Sequence, residues 1–148
     1  MMEKLISILH EQNCSLVLCD SSGLVHTYYN KGVRDLDYLL DHHPEILRGA
    51  TIADKVTGKA AAGMAIVGGA KYIYADILSR QALPLLDAAD ISYSYGSLVD
   101  HIIIPAGDRR CPLEQIVATA TTAEDVVRML KAHFREMKTK QSNKTYQT

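Results

Sequence analysis

Ala53-Asp-Lys-Val-Thr-Gly-Lys-Ala-Ala-Ala62, continuing as Gly63-Met-Ala-Ile-Val-Gly-Gly69, is the stretch on which the fold turns. From Asp54 to Gly68 it is rich in alanine, with Val56, Ala60, Met64 and Val67 at helical spacing. So many small side chains predict a helix over 54–68 pressed closely against a sheet, stopped by Gly68-Gly69.

Downstream the pattern alternates. Tyr72-Ile-Tyr-Ala-Asp76 reads as a strand, Ser79 to Ala89 as a helix and Ser92 to Val99 as another strand. A polar turn, Gly107-Asp-Arg-Arg110, leads to a helix opening at Cys111-Pro112. Thr121-x-x-Glu124 has the form of a capping box for a last helix over Ala123 to Met137. Upstream, Leu36, Leu39 and Leu40 predict a short helix ending near His42-His43-Pro44. Ser15 to Asp20 and Leu24 to Tyr29 are hairpin arms around the turn residues Ser21-Ser22-Gly23, preceded by an amphipathic helix over Met2 to Glu11. A hairpin followed by alternating helix and strand predicts an α/β fold, a mixed sheet with helices on both faces.

The 148 residues suit one domain, read here as 1–137 followed by a polar, disordered tail over 138–148. A hydrophobic share of 47% and a charged share of 22% are ordinary globular values. A formal net charge of -1 offers no global field to draw nucleic acid or an anionic membrane. Three cysteines, Cys14, Cys19 and Cys111, do not make a secreted disulfide scaffold. The longest apolar run, Ala60 to Ala70, is too short and glycine-rich to span a bilayer, and Met1 to Leu9 lacks signal-peptide character. The cytoplasm is therefore the expected location.

In open α/β sheets ligands favour the crevice beyond the carboxyl ends of the parallel strands, where helix N-termini gather. Three predicted helix starts converge there: Asp54, Ser79 and Cys111. At the first, Lys55 and Lys59 are four apart and would share a helical face, with Asp54 at the mouth and Gly58 allowing close approach. The same residues would equally serve as a dipole-complementing acid and a solvated basic face. At the third, Pro112 at the first helical position puts Cys111 at the cap and Glu114 in the first turn. Arg109 and Arg110 just ahead would favour its thiolate, although a small capping residue needs no chemistry. His42-His43 reads as a solvated helix end and His101 as a turn residue.

Taken together, Gly32-Val-Arg34 with Leu39-Leu40, Ala53 to Ala62, Tyr74-Ala75, Leu85-Leu86 and Cys111-Pro-Leu-Glu114 resemble the DUF1893 family of unknown function. The match runs from about Ser15 to Val117, and Asp54 to Ala62 is its most specific part. The resemblance implies a cytidine-deaminase-like fold, a three-layer α/β/α sandwich around a mixed five-stranded sheet. Zinc deaminases of that fold carry a His (or Cys)-x-Glu at one helix start and Pro-Cys-x-x-Cys at the next. Here those places hold Asp54 to Lys59 and Ile77-Leu-Ser-Arg80, from which three zinc ligands cannot be assembled. Asp108 and Arg109 stand where the family has an asparagine–arginine pair.

No cofactor or metal is implied, and the readings that remain belong to different classes. One is a protein binding a small anionic or nucleotide-like ligand at a helix N-terminus through Lys55, Gly58, Lys59 and Arg109. Another is an enzyme with Cys111 as nucleophile, Asp54 or Glu114 moving protons and Lys59 steadying negative charge. A third is a non-catalytic partner-binding module. Association into a homodimer is compatible with all three.

Overall fold

Strand β1 (Leu16–Cys19) is buried along its whole length, so both of its faces need cover. The computed structural model, which describes residues 1–104, 109–110 and 112–146, supplies it. On one side lies helix α1 (Met2–Glu11), whose Leu5 and Leu9 pack with Cys14, Val17, Cys19 and Ala53. On the other, Leu16 and Leu18 enter the main core with side chains of five further helices. These are α2 (Arg34–His42), α3 (Pro44–Leu47), α4 (Lys59–Gly68), α5 (Leu83–Ala88) and α7 (Ala123–Tyr146), while α6 (Pro112–Ile116) packs Leu113 and Ile116 at its margin. The layers are thus one helix, a sheet and a thicker layer of helices.

The sheet adds β2 (Val25–Tyr28), β3 (Thr51–Thr57), β4 (Tyr72–Ser79) and β5 (Ser92–Val99) to β1, in the order β2-β1-β3-β4-β5. β1 pairs antiparallel with β2 and with β3; β3, β4 and β5 run parallel. The mixed five-stranded sheet expected from the sequence is present. A separate small ladder joins β6 (Ile103–Ile104) to β7 (Arg109–Arg110), so Arg109 lies in a strand rather than in a polar turn. Pro105 to Asp108 and Cys111, on which part of the sequence reading falls, lie outside the described residues.

The principal correction concerns 54–68. Thr51–Thr57 is a strand, and the helix begins at Lys59. β3 hydrogen-bonds to neighbours on both sides, and its β-branched Thr51, Ile52, Val56 and Thr57 suit that pleated setting. Gly58, extended at φ -98° and ψ -172°, is the N-cap. Asp54 therefore sits within a strand, and Lys55 and Lys59 share no helical face. Smaller differences follow the same logic. β4 reaches Ser79, where a 3₁₀ turn over Arg80–Ala82 intervenes before α5. Pro44 both ends α2 and starts α3, at the helix position where a missing N–H costs nothing. α7 runs from Ala123 to Tyr146 with neither glycine nor proline to break it.

Across the parallel strands the pairing lapses along one row, Lys55, Asp76 and Gly96. Face alternation slips there: Ile73, Ala75 and Leu78 all enter the same core although Ala75 and Leu78 are an odd step apart. The slip turns Thr57, Leu78 and Ser79 inward and leaves Val56 and Ile77 exposed. Gly96 accommodates the row, since a Cβ there would meet the Asp76 carbonyl oxygen at 2.9 Å.

Helix α4 is the most enclosed of the described helices, with every residue from Ala60 to Ala65 buried. Its small side chains admit α7 so closely that a Cβ on Gly63 would meet Val126 Cγ1 at 2.5 Å. Gly63→Ala should lower unfolding stability by about 1–3 kcal/mol through overpacking, despite a helix-propensity gain of up to about 1 kcal/mol. Val126→Ala in the Gly63→Ala background should recover part of that loss. Urea titrations of the two single variants and the double variant measure the coupling.

Candidate functional site

At the carboxyl ends of β3, β4 and β5 the chain makes three turns that meet around one carboxylate. Glu114, in the first turn of α6, is 6% exposed. Its Oε2 accepts from Ser79 Oγ at 2.7 Å and its Oε1 from the Ile102 N–H at 2.6 Å. Ser79 closes β4 and also accepts from the Gln81 N–H at 3.2 Å, capping the 3₁₀ turn. Ile102 follows β5. The third partner is a gap: a Cβ on Gly58 would lie 3.3 Å from Glu114 Cγ and 3.2 Å from Ile102 Cγ1. Glycine at the end of β3 thus lets Glu114 settle against the N-cap of α4, where negative charge complements the helix dipole. The helix mouth proposed as an anion site already holds the chain's own carboxylate.

Lys59, the first residue of α4, turns its Nζ to the Ala118 carbonyl at 3.1 Å. Desolvation draws its pKa below the ordinary lysine value, and the charge of Glu114 opposes that shift. No carboxylate within the described residues forms an ion pair with it. Beside this group lies a shallow cleft of about 70 Å³, lined by Gln81, His101, Glu114, Gln115 and Ala118. Gln81 is oriented by its Nε2–H bond to the Asp100 carbonyl at 3.2 Å, and Arg80 Nε stands 3.0 Å from Asp100 Oδ1. The volume is room for a few water molecules or one small functional group rather than a whole cofactor.

Of the residues singled out from the sequence, Gly58, Lys59 and Glu114 come together here. Asp54 and Lys55 do not. Asp54 Oδ2 accepts from Thr57 Oγ1 at 2.8 Å, and burial pushes the Asp54 carboxyl up to about 7 despite that bond, with the charge of Asp76 adding to the rise. Lys55 reaches to the side-chain oxygen of Asn13, after α1. Cys111 lies outside the described residues, so no geometry joins it to Glu114. Sequence reasoning placed Ser79 near this edge without its link to Glu114, gave His101 only a turn, and missed Gln81 and Gln115. A serine at a strand–helix junction was the one signal available. A second polar group lies on the α1 side, where Asp76 accepts from Tyr74 Oη at 2.7 Å and meets His10 Nε2 at 2.8 Å. The bond to Asp76 raises the Tyr74 hydroxyl to about 12.

No three His, Cys, Asp or Glu side chains gather as a metal site within the described residues, nor is any described helix long and apolar enough to cross a membrane. The architecture and the crevice define an α/β protein with a carboxylate-centred polar cleft at the carboxyl edge of a mixed sheet. A model of the domain of unknown function DUF1893 matches residues 4–134, and the chain belongs to that family. A crystal structure of a DUF1893 family protein from Thermotoga maritima is similar in fold, with a TM-score of 0.80 and 24% sequence identity. The likeness covers 89% of this chain and 88% of that one. No curated protein matches.

Glu114→Gln would set an amide N–H against one of two buried donors, Ser79 Oγ–H or Ile102 N–H. It should cost about 1–3 kcal/mol of stability, read as a shift in the urea midpoint. For Asp54 the sign follows from its raised value. Between about 4 and 7 the folded chain holds a proton that the unfolded chain releases, so this stabilisation is full below about pH 4 and lost as pH rises through 7. In Asp54→Asn that decline relative to wild type should vanish, as urea midpoints taken from pH 4 to 8 would show.

Proposed function

We propose that this protein binds a small, nucleotide-like ligand at the cleft lined by Gln81, His101, Glu114, Gln115 and Ala118, with Lys59 at its edge. The observation that carries the reading is Glu114: a nearly buried carboxylate, fixed by two donors, edging a cleft beside a partly desolvated lysine. Each carboxylate oxygen keeps a further lone pair, so the cleft suits a group presenting N–H donors, such as an exocyclic amine or amide. Lys59 can leave the Ala118 carbonyl to meet an anionic group, and Gln81, Gln115 and His101 offer further polar contacts. A nucleotide whose base amine alone enters the cleft, the rest lying outside it with the phosphate toward Lys59, carries both chemistries, which a lone anion does not. A kinship with cytidine deaminases belongs to the same reading, supported by a crevice at the helix start where those enzymes hold their zinc.

Native mass spectrometry of the purified chain tests this, followed by melting shifts across a panel of nucleosides and nucleotides. A ligand bound by wild type should bind at least about tenfold more weakly to Lys59→Ala, the loss of one charge-assisted contact. A panel without any shift in wild type would rule the reading out, as would a ligand indifferent to Lys59→Ala.

A further inference from the structure

The two edges of the sheet are unlike. β2 is four residues long, and its His26 is tied to Asp20 at 2.8 Å. β5 is eight residues long, Ser92-Tyr-Ser-Tyr-Gly-Ser-Leu-Val99, without charge or proline, and none of its residues is buried. Soluble proteins normally guard a long edge with charge, proline or a covering segment, because its unpaired N–H and C=O groups invite another strand. No strand within the described residues pairs with the outer side of β5.

The flanks indicate what pairs there. Asp90, just before β5, is exposed and has no ion-pair partner within the described residues. Just after β5, Asp100 is engaged by Arg80, and His101 follows. An antiparallel strand of the same sequence, added on the side of β5 away from β4, would bring its own Asp90 opposite His101, and its own uncharged centre beside an uncharged centre. A charged peptide would find no opposite charge along β5. Pairing of β5 with the β2 edge of another copy would leave free edges and continue without closing.

We propose that β5 pairs antiparallel with β5 of a second copy about a two-fold axis, joining two five-stranded sheets into one. Light scattering on the full chain should then give twice the 16.3 kDa monomer mass. Ser97→Lys and Ser92→Lys, both at exposed positions, should each return the mass to 16.3 kDa without lowering the melting temperature. Asp90→Lys should weaken the dimer by about tenfold at low salt. A wild-type mass of 16.3 kDa up to high concentration would overturn the proposal, and so would a dimer untouched by both serine variants. Should those variants misfold, hydrogen exchange of wild type decides. Amides of β5 must exchange more slowly as concentration rises, and a rate independent of concentration sinks the interface.

Discussion

The enclosure of α4 is the constraint on which the other elements depend. A helix buried on all sides from Ala60 to Ala65 has no face to give to water, so its neighbours must supply every contact. Its small side chains set how near they come: Val126 of α7 at Gly63, and Leu47 of α3 at Gly68. The sheet closes the remaining side. Larger residues would push these elements apart, and the close packing on which core stability rests would be lost.

Enclosure also explains the crevice. The N-terminus of a buried helix cannot rely on water to satisfy its partial positive charge. Glu114 stands there instead, and its two hydrogen bonds tie α6 to the end of β4 and to the segment after β5. One carboxylate thereby locks three turns into a common edge. The same lock gives the cleft a fixed acceptor, so stability and recognition draw on one side chain.

Much of the fold was legible in the residues. The hairpin of β1 and β2, the amphipathic α1, the leucine-spaced α2 and the edge strand β5 all announce themselves by local periodicity and turn chemistry. β3 did not. A strand paired on both sides lacks simple alternation, and its Asp54-Lys55 imitates the polar opening of the alanine helix behind it. Gly58 was the boundary marker, because a glycine is poorly placed inside a helix and well placed before one. The site was less legible than the fold. Glu114 and Ser79 are 35 positions apart, and no local pattern announces a bond that only the sheet topology brings about. Gly58 and Lys59 were found for a different reason from the one that places them, since each was assigned to a helix that starts later than expected.

The contact between Gly63 and Val126 has a kinetic side. The two residues are far apart in the chain, and α4 emerges during synthesis well before α7 exists to cover it. At roughly 5–20 residues per second, that flank stays bare for several seconds. The sheet can pair largely in chain order meanwhile, since β3, β4 and β5 are successive neighbours. Docking of α7 is then the late step that seals the core. Before it, the nascent chain exposes a glycine- and alanine-lined groove to chaperones and to other copies of itself.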